Sequence, residues 1–142
     1  MISVSLLSQQ FSEVASKRGL VCGALFGSQA TGKTHAQSDI DIGFIAERRL
    51  GLREIAELQE ELMTKTGYGN IELVDLKNAP PLLLKKVAEE GVLLYEQEAD
   101  LFNRFKVYSI KLYMEARPLY TLQSASIQSF IKRHAWSNSY YQ

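Results

Sequence analysis

Two acidic residues set two apart inside an apolar run constrain this chain more than any other feature. They are Asp39 and Asp41, in the stretch GALFGSQATGKTHAQSDIDIGFI, where a Gly27-Ser28 pair closes an earlier apolar run. Side chains alternate between the faces of a strand, so Asp39 and Asp41 point the same way, with Cα atoms roughly 6–7 Å apart. Like charges so placed repel, and strands are poor in Asp. A folded chain keeps such a pair where something cationic neutralises it. Two carboxylates at this spacing can share a pair of divalent ions held about 3.5–4 Å apart.

A second pattern overlaps the first. Residues 27–34, Gly-Ser-Gln-Ala-Thr-Gly-Lys-Thr, satisfy the phosphate-loop pattern G-x-x-x-x-G-K-[ST] at every position. Such a loop works by opening a helix whose N-terminal amides cradle phosphates, and an average helix runs about 11–12 residues. Here only His35, Ala36, Gln37 and Ser38 stand before the strand-like run that starts at Asp39. The helix has no room, and the match is read as coincidence. A helix through residues 33–42 would reverse that reading.

The bulk properties exclude several classes. A chain of 142 residues fits one domain with a real core, here expected over 1–142 with a helical extension from 97 to 142. The formal net charge is +0 at pH 7, so no global basic field marks a nucleic-acid binder. No apolar run approaches a membrane span. The start, MISVSLLSQQFSEV, has neither a cationic region nor a small-residue cleavage site, so no signal peptide is expected and the cytoplasm is the default location. Cys22, alone and inside an apolar run, reads as a small buried hydrophobe.

Periodicity predicts helix over 3–18, strand over 20–26, strand over 40–45, helix over 51–66 and strand over 70–76. Pro80 and Pro81 suit the first turn of a helix that runs to Glu90. A short strand follows over 92–95, at a sheet edge. Beyond it, 98–115 reads as a long helix, Pro118 as an interruption and 121–134 as a last helix. The alternation gives an α/β or α+β domain with a small mixed sheet flanked by helices.

The elements LFGS, SDIDI, IELVDL, NAPPLLLKKV and EEGVLLYE, followed by an aromatic-rich helical end, cover nearly the whole chain. Together they resemble the minimal nucleotidyltransferases of the DNA polymerase β superfamily, and especially the antitoxins of HEPN/MNT toxin–antitoxin modules. That resemblance implies a polymerase β-like fold, ATP as substrate, two magnesium ions, and a HEPN-family ribonuclease toxin as partner. The activity it implies is transfer of AMP to a tyrosine of that toxin. Gly27 and Ser28 would then approach the phosphates, Gly27 by lacking a side chain and Ser28 through its hydroxyl and amide. Asp39 and Asp41 would hold the metals. A third carboxylate is needed from IELVDL, where Glu72 and Asp75 are three apart and so on opposite strand faces. The family pattern favours Glu72, the first acid of the run.

The chain departs from the family pattern in one chemical respect. Many relatives read Gly-Ser-Arg-Ala-Arg-Gly, whereas Gln29 and Thr31 stand here in place of both arginines. Lys33 is the nearest substitute cation for nucleotide binding, or else a solvated loop lysine. His35 reads as a loop residue and His134 as a helix C-terminal charge. Phe102, Phe105, Tyr108, Tyr113, Tyr120, Phe130 and Trp136, with Tyr140 and Tyr141 at the end, read first as core packing and second as a partner surface. Three other functions stay open: an antitoxin that binds without catalysis, an enzyme modifying a small molecule such as an aminoglycoside, and a P-loop NTPase.

Overall fold

The computed structural model describes residues 2–32 and 39–138, and the side chains of 2–32 and 39–133. The element order is α1 (Val4–Lys17), β1 (Leu20–Phe26), α2 (Ser28–Thr31), β2 (Ile40–Ala46), α3 (Leu52–Thr66), β3 (Ile71–Asp75), α4 (Pro81–Glu90), β4 (Val92–Glu96) and α5 (Leu101–Asn138). The strands form one sheet in the order β3-β2-β1-β4. β1 pairs antiparallel with both β2 and β4, while β2 and β3 run parallel. The sheet is therefore mixed, with the short β4 at an edge, as expected from the sequence.

Alternation along β2 divides the core between the two faces of the sheet. Ile40, Ile42, Phe44 and Ala46 point to one side, where Leu7, Phe11 and Val14 of α1 and Leu58 and Leu62 of α3 cover them. On the other side Cys22, Ala24 and Phe26 of β1 meet Leu84 and Val87 of α4 and Phe102 and Phe105 of α5. The face that carries Asp41 is thus the one roofed by α4 and α5. Cys22 is fully buried, and burial pushes its thiol up to about 12, which leaves it an inert hydrophobe.

Helix α5 runs unbroken through Pro118, against the expectation of two helices. Proline removes one amide donor, orphaning the carbonyl four residues back, at Met114. Both residues lie on the exposed side of the helix, where water satisfies that carbonyl without a break. The aromatic tail also divides differently from a uniform core. Phe102 and Phe105 are buried, stacked at 6.0 Å, and Tyr113 and Tyr120 lie tilted at 6.2 Å. Tyr108 and Phe130 are exposed, along with Met114, Leu119, Leu122, Ile127 and Ile131. The side chains of His134 and Trp136, and Tyr140 and Tyr141 entirely, lie outside the described residues. Among the described residues no helix is long and apolar enough to cross a membrane.

One contact fixes how α1 seats on the sheet. Gly23, buried in the middle of β1, has no side chain, and the ring of Phe11 fills the space a Cβ would take. Gly23→Ala is therefore expected to overpack the core and lower stability by about 1–3 kcal/mol. Urea unfolding followed by circular dichroism checks this, and an unchanged midpoint would contradict the packing described.

Candidate active site

The site is set by strand register. Asp41 lies opposite Phe26 in the antiparallel β1–β2 pair and opposite Glu72 in the parallel β2–β3 pair. Neighbouring strands stand about 4.8 Å apart, so the two carboxylates come from adjacent positions on one face. Val74, two residues beyond Glu72, packs into the core under α4 and α5, which confirms the face, whereas Leu73 packs on the opposite one. Asp39 is exposed and precedes β2, completing an acidic edge at the same end of the sheet.

Asp75 goes elsewhere. Its carboxylate accepts from the Lys77 amide at 3.1 Å and from the Asn78 side-chain amide at 2.8 Å, closing the turn that leads into α4. Since β2 and β3 are parallel, this turn stands at the far end of the sheet from Asp39. Lys77 confirms the end, its Nζ donating to the Ala46 carbonyl at 2.5 Å.

Gly27 follows Phe26 directly and so sits beside Asp41. Its backbone is in the left-handed region, with φ 75°, and a Cβ there would collide with the Asp41 carboxylate oxygen. Both facts require glycine at this position. The carbonyl of Gly27 accepts from the Ala30 and Thr31 amides, each at 3.2 Å, which makes Ser28–Thr31 a single helical turn. Gly32 ends that turn in the left-handed conformation, and β2 already begins at Ile40. A phosphate-loop helix through 33–42 is thereby excluded. Lys33 and His35 lie outside the described residues, as does the expected loop over 33–38.

The electrostatics follow from the crowding. The Asp41 carboxyl is held above its ordinary value, first by partial burial, then by the negative charges of Glu72 and Asp39 and a hydrogen bond with Glu72. Lys86 of α4 acts in the opposite sense. Lys86 was not singled out by sequence, because nothing in the spacing of NAPPLLLKKV distinguishes it from Lys85. Among the described residues no three His, Cys, Asp or Glu side chains converge as a ready-made metal cluster. The donor set is nevertheless all carboxylate oxygen and short of positive charge, which suits a hard divalent ion such as magnesium.

A family model described as polymerase beta, nucleotidyltransferase matches residues 9–100. The chain belongs to this nucleotidyltransferase family. It is 28% identical over 119 residues to a protein adenylyltransferase MntA of Aphanizomenon flos-aquae, covering 77% of this chain and 79% of the relative. A protein adenylyltransferase MntA of Shewanella oneidensis is 34% identical over 89 residues, covering 63% of each chain. Among solved structures, a toxin–antitoxin crystal structure with AMP-PNP superposes with a TM-score of 0.72 at 27% identity, covering 87% of this chain and 98% of that one. The matched region contains both the Gly27-Ser28 turn and the carboxylates of the candidate site.

The raised Asp41 carboxyl has a consequence for stability. Its contribution is fully present below the ordinary value of 3.8 and is lost as pH rises through the folded-state value. Asp41→Asn removes the charged form altogether. In excess chelator at pH 7 this variant is expected to unfold at an equal or higher denaturant midpoint than the wild type. The difference should close near pH 3, about one unit below an ordinary Asp. A variant clearly less stable at neutral pH would show that the cluster is not under charge strain.

Proposed function

We propose that this chain transfers the AMP group of ATP to a tyrosine hydroxyl on a HEPN-type toxin partner, releasing pyrophosphate and neutralising the toxin. The observation that carries this reading is the placement of Asp41 and Glu72 on one sheet face beside the Gly27 turn, in a chain of the nucleotidyltransferase family. Its relatives bear the name protein adenylyltransferase, and a structure of the same fold holds a toxin–antitoxin with AMP-PNP, an ATP analogue.

In this reading each residue has a physical task. Gly27 leaves room for a phosphate beside the Asp41 carboxylate, where any Cβ would intrude. Ser28, half-buried at the start of the α2 turn, offers its hydroxyl and amide to the phosphates. Asp39, Asp41 and Glu72 would hold two magnesium ions, with Lys33 as a further contact to the nucleotide. When bound, magnesium neutralises charge on the triphosphate and helps deprotonate the attacking hydroxyl. The acceptor oxygen bonds to the α-phosphorus as the bond to pyrophosphate breaks, and the hydroxyl proton leaves. A phenol with a pKa near 10 is mostly protonated at neutral pH, so the carboxylate cluster serves as the proton's first destination. Positioning and charge neutralisation supply most of the catalysis in such transfers.

The protein acceptor is favoured by the surface of α5. Exposed Leu119, Leu122, Ile127, Phe130 and Ile131, from the middle of that helix onward, offer an apolar face suited to a protein. They do not form the enclosed pocket that a small acceptor such as an aminoglycoside needs.

Co-expression with the toxin and radiolabelled ATP tests the reading. Label is expected on a tyrosine of the toxin, dependent on magnesium. Asp41→Asn and Glu72→Gln should each reduce transfer by about 100-fold or more, while Asp75→Asn should reduce it only a few-fold, since its carboxylate serves a turn. Equal losses for Glu72→Gln and Asp75→Asn would refute the assigned third carboxylate. An Asp39→Asn variant that protects cells as well as the wild type would show neutralisation by contact alone.

A further inference from the structure

The carboxylate face poses a charge problem that magnesium alone does not finish. Three acidic side chains and a triphosphate must share one small region, and Gln29 and Thr31 bring no charge to it. Helix α4 roofs this face, with Leu84 and Val87 packed against Ala24 and Phe26 of β1. Because α4 follows β3 and runs back along the sheet, its second half stands toward the Asp41 end.

The lysines near that roof are not equivalent. Lys77 is committed to the Ala46 carbonyl at the far end. Lys85 pairs with Glu89 at 3.0 Å and lies over the Tyr113 ring at 4.8 Å. Lys106 lies over the Phe102 ring at 4.6 Å. Lys86 is exposed, makes no ion pair or hydrogen bond among the described residues, and opens the half of α4 that leads to Val92, the partner of Leu25 at the Asp41 end of the sheet. An ammonium is a compact charge on a flexible stem that suits phosphate as a point contact. Without a partner among the described residues, it is a cation with much to gain from an incoming anion.

We propose that Lys86 is a nucleotide-binding residue that contacts a phosphate of the bound triphosphate from the α4 side, supplying charge that the Gly27–Gly32 turn lacks. This rests on the reading of the site as a nucleotidyltransferase centre. It makes α4 a functional roof as well as a packing element, and separates the tasks of adjacent lysines. Lys85 anchors α4 against α5, whereas Lys86 serves the ligand.

Equilibrium binding by the full chain in magnesium decides it, with AMP-PNP and adenosine as probes. Lys86→Met is expected to weaken AMP-PNP binding about ten-fold, the order expected for losing a charge-assisted contact. Adenosine binding should stay within about two-fold, because no phosphate is present. Lys86→Arg should retain most of the AMP-PNP affinity, and Lys85→Met should leave it unchanged. Thermal unfolding of Lys86→Met should match the wild type, since the side chain is exposed. Unaltered AMP-PNP affinity in Lys86→Met, or an equal loss in Lys85→Met, overturns the proposal while leaving the nucleotidyltransferase reading intact. Failure of the wild type itself to bind AMP-PNP would overturn that reading, and this inference with it.

Discussion

The crowding of Asp41 against Glu72 is the interaction on which the rest of this molecule turns. Two strands run parallel with these residues in register, which sets the exposed Glu72 beside the half-buried Asp41 on the sheet face that α4 and α5 cover. For a partly buried carboxylate such as Asp41, a neighbouring like charge costs more than it does in water. Burial and the Glu72 and Asp39 charges accordingly hold the Asp41 carboxyl up. A scaffold designed only for stability would not keep this arrangement. It persists here because the surrounding core, with Ile42 and Phe44 buried on either side of Gly43, fixes β2 whatever Asp41 prefers.

The neighbouring glycines belong to the same logic. Gly27 is tied to Asp41 by both conformation and space. Gly43, two residues on and on the same face, admits Leu76, whose side chain lies 2.8 Å from where a Cβ would be. That contact draws the end of β3 against β2 and helps hold the register that puts Glu72 beside Asp41. The turn at Asp75 adds to it, since its hydrogen bonds to Lys77 and Asn78 lead the chain into α4. The pairing of Glu72 with Asp41 and the chain reversal at Asp75 thus lie within one short segment, residues 71–78.

Much of this was legible in sequence, for physical reasons. Element positions followed from apolar periodicity and from glycine and proline punctuation, so that β1 occupies the run read as strand and α4 starts at the paired prolines. Alternation along β2 was enough to place Asp41 on a face. The pairing of Glu72 with Asp41 was not derivable that way, because register between strands 31 positions apart is a tertiary fact. Only the family pattern pointed to it. Pro118 misled, since local chemistry says that proline interrupts a helix, and the exposure of Met114 and Pro118 that spares α5 is visible only in three dimensions. Lys86 was invisible for a similar reason. What distinguishes it from Lys85 is that Glu89 and Tyr113 occupy one lysine and leave the other free of ion pairs among the described residues.

The proposed role of the Asp41 and Glu72 carboxylates is a single cation-binding face beside the Gly27 turn. Crystals grown with manganese and AMP-PNP test it most directly, since manganese accepts the same oxygen ligands and is located by its anomalous signal. An anomalous peak between Asp41 and Glu72 is expected, with phosphates against Gly27 and Ser28 and Asp75 still bound within its turn. A metal at Asp75, or ordered nucleotide with no metal at the Asp41–Glu72 face, would contradict it.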